Sequence, residues 1–213
     1  MLRIGTFIKA SYFDSYVRLQ LARPEARNAL SDEVVDELNE HLAQVERSQA
    51  RCVLLTGSDG VFASGGDLKQ MVQRTLQSVQ RENTLAQWDR IGACSRLMIA
   101  AVNGFALGGG LQLAMYCDIR IAAQSAKFGH PELSIGTLPG AGGTQRLTRL
   151  VGKSRALDLI MTGRIITAAE AYATGLVTHL CADTELEQRA QTLAQQIGRQ
   201  PLDTVLALKA SLC

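Results

Sequence analysis

The sequence predicts an α/β fold, and two observations carry that reading. Short, nearly all-apolar runs such as "ARCVLLTGS" have the length and composition of buried strands. Segments of helical period such as "SDEVVDELNEHLAQVERS" lie between runs of that kind. The alternation repeats several times with no linker or low-complexity stretch, so the 213 residues are expected to form a single domain, 1–213, with a sizeable core.

Taken in order, "YVRLQLA" alternates apolar and polar residues as a strand does, and "RPEARNAL" breaks it with Pro24 and Asn28. A helix follows, capped by Ser31, with Val34, Val35, Leu38, Leu42 and Val45 on one face. After the apolar strand, "VFASGGDLKQM" reads as a glycine-rich loop entering a helix that Asp67 caps. "RLMIAAVNGFAL" is strand then turn, "GGLQLAMY" helix, and "DIRIAAQSAKFG" strands again. "GAGGTQRLTRLVGKSRALDLIMTG" opens on glycines and continues as helix. "ITAAEAYATG" is a helix capped by Thr167 and ended by Gly175. "LVTHLC" is strand-like, and two helices separated by Pro201 close the sequence.

Composition narrows the function classes. Hydrophobic residues make up 46% and charged residues 20%, a globular balance. A net charge of +2 and an aromatic content of 5% argue against nucleic acid and acidic membranes as partners. The five cysteines, Cys52, Cys94, Cys117, Cys181 and Cys213, are thinly spread with no CxxC spacing, as in reduced intracellular chains. His41, His130 and His179 have no metal-ligand spacing, so no metal is expected. The N-terminus lacks a continuous apolar signal region, and no run is long enough to span a bilayer; a cytoplasmic location is expected.

Four stretches together resemble the crotonase (enoyl-CoA hydratase/isomerase) superfamily. They are "RPEARNAL", "VFASGGDLKQM", "AAVNGFALGGGLQLAMYCDIRIAAQSAKFGHPELSIGTLPGAGGTQRL" and "TGRIITAAEAYATGLV", and the likeness runs from about Tyr16 onward. The resemblance implies a crotonase-like spiral of ββα units and assembly as a homotrimer or dimer of trimers. It implies a substrate carried as a thioester of coenzyme A or an acyl carrier, with no cofactor beyond the coenzyme A of the substrate. Family members usually continue through further C-terminal helices. With the sequence stopping at Cys213, a shortened C-terminal helical part and a more open acyl site are expected.

Chemistry beside a thioester carbonyl passes through an enolate-like oxyanion, which preorganised backbone N–H groups stabilise. Matching the motifs places such donors at Gly66 and Gly109, where glycine permits close approach and Gly109 opens a helix. Gln112 lies three residues on and shares a helical face with Gly109. Many hydratases of the family carry glutamate here, whereas Gln112 only donates and accepts hydrogen bonds. Glu132, after the stiffening Pro131, matches the family's other catalytic glutamate. By the same resemblance the Gly140 N–H orients water or the acyl group, and Ala26, Ala63, Ser64 and Lys69 contact the nucleotide and pantetheine; each reads equally as an ordinary loop residue. His130 reads as structural, and His41 and His179 as surface or strand-end residues.

The reading is an acyl-thioester enzyme of the hydratase/isomerase type with one glutamate acid/base. Isomerase-type proton transfer fits a single carboxylate better than hydration. Enolate carbon–carbon bond formation or decarboxylation is the alternative within the superfamily; carboxymethylproline synthases resemble this site in pairing Gln with Glu. A non-catalytic or RNA-binding relative is the alternative from another class, and the acidic first helix counts against it.

Overall fold

The computed structural model describes residues 6–75 and 84–212. The expectations for residues 1–5 and for the Cys213 thiol lie outside the described residues. Nine strands alternate with helices among the described residues: β1 (Ile8–Tyr12), β2 (Tyr16–Leu21), β3 (Cys52–Gly57), β4 (Leu97–Val102), β5 (Phe105–Leu107), β6 (Ile119–Ala123), β7 (Lys127–Gly129), β8 (Ile165–Thr167) and β9 (His179–Cys181). They form a six-stranded sheet in the order β1-β2-β3-β4-β6-β9 and a three-stranded sheet in the order β5-β7-β8. Within the larger sheet β1 runs antiparallel to β2, and every other pairing is parallel.

The chain winds as a spiral. β4 joins the large sheet, β5 the small one, and the helix Gly109–Tyr116 follows. β6 and β7 repeat the move, ahead of the helix Gly143–Val151. In the preceding turn β3 lies in the large sheet, Ala63 makes one bridge to Ala106 of β5, and the helix Leu68–Gln73 follows. This is the ββα repetition that the resemblance implies.

Both faces of the large sheet are covered, which is why its central strands β3 and β4 read as nearly unbroken apolar runs. Side chains alternate along each strand. Val53, Leu55, Met98, Ala100 and Val102 enter one core with Val34, Leu38 and Leu42 of the helix Asp32–Glu46. Cys52, Leu54, Ile99 and Ala101 enter a second core against Leu186, Ala190 and Ala194 of the helix Leu186–Gly198. Asp67 and Thr167 cap their helices, accepting from the Lys69 and Gln70 amides and from the Glu170 amide respectively.

Two expectations need correction. The segment from Gly140 to Gly163 is not one helix: Gly152, at φ +81°, separates Gly143–Val151 from Lys153–Thr162, a backbone state that an L side chain resists. His41 is not a surface residue. It is buried in the helix Asp32–Glu46, with Nε2 3.8 Å from Glu37. β1 and the helix Thr84–Gly92 also carry no motif that singled them out in the sequence.

Candidate active site

A cavity of about 650 Å³ opens between the loop 23–30, the loop 64–71, the start of the helix Gly109–Tyr116 and the segment 131–141. Local chemistry explains why the glycine run lies on its wall. Gly108, at φ +48°, turns the chain into the helix and takes its place at the N-cap. Gly110 packs on the preceding turn of the spiral, where a Cβ would stand 2.2 Å from the Ala63 carbonyl oxygen. Between them, Gly109 faces Gly66 closely: a Cβ there would be 3.3 Å from the Gly66 amide nitrogen. Gly66 and Gly109 both line the cavity, so the structure brings the two sequence-predicted donors side by side.

Gln112 lies one helical turn further on and is 3% exposed. Its amide is held at both ends. Oε1 accepts from the Ala141 backbone N–H at 2.6 Å, and Nε2 donates to Glu132 Oε1 at 2.8 Å. Glu132 belongs to the short 3₁₀ helix Pro131–Ile135, with Pro131 at its first position. Its carboxylate is buried beside Gly108 and reached by His130 Nδ1, 3.1 Å from Oε1 and 3.3 Å from Oε2.

The mouth of the cavity is charged. Arg23 pairs with Asp67 at 2.7 Å, and Arg74 pairs with Asp32. The Arg23 hydrogen bond holds the Asp67 carboxyl below its usual range. Arg27 and Lys69 also line the cavity, and among the described residues their side chains have no anionic partner. Apolar side chains line the cavity as well: Leu85, Ile135 and Leu138, all exposed, and the half-buried Trp88.

The remaining sequence-predicted residues divide. Ala26, Ser64, Lys69 and Gly140 line the cavity together with Gln112 and Glu132. Ala63 does not: it is wholly buried behind the wall, its N–H donating to Phe105 and its carbonyl accepting from Leu107. Three participants carried no separate signal. Arg27 reaches the mouth from a left-handed turn at φ 50°, Trp88 comes from a segment without a motif, and the Ala141 amide fixes Gln112. His130, read as structural, sits against the carboxylate.

A buried carboxylate, a buried amide and two glycine loops thus meet at one cavity. The enoyl-CoA hydratase/isomerase family model matches residues 14–213. The chain is 46% identical over 181 residues to a mitochondrial enoyl-CoA hydratase of Pongo abelii, covering 84% of this chain and 62% of that protein. A probable enoyl-CoA hydratase of Mycobacterium leprae is 43% identical over 190 residues, covering 87% and 74%. A solved enoyl-CoA hydratase subunit of Geobacillus kaustophilus superposes with a TM-score of 0.96 at 37% identity, covering 99% of this chain and 82% of that one. A Thermobifida fusca structure described as a putative enoyl-CoA hydratase in complex with CoA superposes at 0.86 with 31% identity, covering 98% and 84%. The chain belongs to the enoyl-CoA hydratase/isomerase family and has its crotonase fold.

Proposed function

We propose that the protein acts on an acyl-CoA thioester through an enolate, with Glu132 as the one side chain at the site that carries the proton. The thioester oxygen sits against the Gly66 and Gly109 amides, each worth roughly 2.7–4 kcal/mol to the developing oxyanion. Glu132 takes a proton from the α-carbon and returns it to another carbon of the conjugated system, as in shifting a double bond. Arg27 and Lys69 face the phosphates of the nucleotide, and the apolar wall receives the acyl chain.

The observation that supports proton transfer over hydration is the doubly bonded Gln112 amide. It orients Glu132 without exchanging protons. Hydration needs one group to activate water and another to manage the α-proton, and a single carboxylate does both poorly. The relatives, named as enoyl-CoA hydratases, favour hydration as the second reading.

The test is turnover of 3-enoyl-CoA and 2-enoyl-CoA in deuterated water. Double-bond migration with solvent deuterium in the product is expected to outrun hydration. Glu132→Gln is expected to lose at least about 10²-fold in rate while still binding CoA. Full activity of Glu132→Gln overturns the proposal, and hydration faster than migration selects the second reading.

A further inference from the structure

The deepest polar side chain of the site is His130. It is wholly buried, and among the described residues its only hydrogen-bonding partner is the Glu132 carboxylate. Nε2 lies on the far side of the ring, buried and with no partner among the described residues. A proton on Nε2 would be a buried N–H without an acceptor, at a cost of about 1–3 kcal/mol. A bare lone pair there costs less, so the proton belongs on Nδ1, from which it points at Glu132.

That choice of tautomer gives the carboxylate a defined orientation. Oε1 receives two donors, Gln112 Nε2 at 2.8 Å and His130 Nδ1 at 3.1 Å. Oε2 receives only the longer His130 contact, at 3.3 Å. Gly108 lies alongside the carboxylate: a Cβ on it would be 3.4 Å from Oε1 and 3.9 Å from Oε2. The less occupied oxygen is the one with lone pairs left for a substrate proton.

We propose that His130 is a positioning residue: its Nδ1–H holds the Glu132 carboxylate so that Oε2 faces the reacting carbon. This rests on the reading of Glu132 as the proton carrier. A histidine that only filled the core would serve equally well as a leucine of similar bulk. A positioning histidine would not, because reacting groups misplaced by about 1 Å can lose as much as 10²-fold in rate.

The experiment is exchange of the α-protons of butyryl-CoA in deuterated water, followed by mass spectrometry. It needs only a base and oxyanion donors. The variants are His130→Leu, which keeps bulk and removes the donor, and His130→Asn, whose amide nitrogen occupies nearly the place of Nδ1. Glu132→Gln and wild type complete the set. His130→Leu should lower the maximal exchange rate about 10- to 100-fold, with half-saturation within about twofold of wild type. His130→Asn should recover most of the loss. If His130→Leu does not fold, His130→Ala takes its place, with added imidazole expected to raise its exchange rate. Full exchange by His130→Leu overturns the proposal. So does failure of both His130→Asn and imidazole to restore exchange. Undiminished exchange by Glu132→Gln overturns instead the reading on which the proposal rests.

Discussion

The Gln112 amide donates to the Glu132 carboxylate at 2.8 Å, and both side chains are buried. An amide at this distance donates a hydrogen bond and has no acidic proton to exchange, whereas a carboxylate in its place would bring a second acid/base group. Gln112→Glu should therefore create a proton-sharing pair and supply the missing acid/base. Crotonyl-CoA hydration should rise by at least about tenfold, against roughly 10²–10⁴-fold for general acid–base assistance in well-formed sites. A steady-state hydration assay decides it; an unchanged or lower rate removes Gln112 as the determinant of the reaction.

Gln112 keeps its place because Gly143 has no side chain. A Cβ there would stand 2.7 Å from Pro139 Cβ and 3.0 Å from Gln112 Cγ. Gly143→Ala is expected to cost about 1–3 kcal/mol by overpacking and to lower turnover with it. Gly140→Ala is the control: its nearest neighbour would be the Leu138 carbonyl oxygen at 3.8 Å. Its stability should change by no more than about 0.5 kcal/mol. Denaturant melts of the two variants give the comparison, and equal stability would refute the packing argument.

Arg27 and Lys69 are the cavity cations without an anionic partner among the described residues. Removing both charges by Arg27→Gln and Lys69→Gln should raise KM for a CoA thioester and leave kcat close to wild type. The rise should shrink at high salt, because exposed charges are screened over about 8 Å at physiological ionic strength. A KM independent of these two residues would place the phosphates elsewhere.

Asp67 links the mouth of the site to stability. The Arg23 hydrogen bond, with the capped amides of Lys69 and Gln70, lowers its carboxyl from the usual 3.8. The stabilisation is therefore complete above about pH 4 and is lost as the pH falls through the lowered folded value. Asp67→Ala should lose about 1 kcal/mol at neutral pH, since Asp is a strong N-cap and Ala a poor one. The gap to wild type should narrow on acidification. A gap that widens at low pH, measured by thermal melts, would contradict the assignment.

Burial pushes the Cys52 and Cys117 thiols up to about 12. Neither should react with iodoacetamide at pH 8 in the native protein, and both should react in denaturant, as peptide mapping would show. Fast native labelling of either would mean that the core around it opens.

The sequence by itself determined the α/β class and most of the elements, because apolar period and capping residues are local. Val34, Leu38 and Leu42 mark their helix, and Asp67 and Thr167 mark helix starts, without reference to the rest of the chain. The ordered motifs also carried the family and pointed to Gly66, Gly109, Gln112 and Glu132. Only the tertiary structure decided what those residues do to one another. Gln112 and Glu132 are twenty residues apart in sequence, and no local pattern says that one amide holds both a carboxylate and the Ala141 N–H. His130 has the composition of a core histidine until its one partner is seen to be Glu132. Ala63 has the motif of a contact residue until Gly110 is found packed against its carbonyl. The physical reason is common to these cases: secondary structure is set by neighbours in the chain, and a site is set by which turns of the spiral lie against each other.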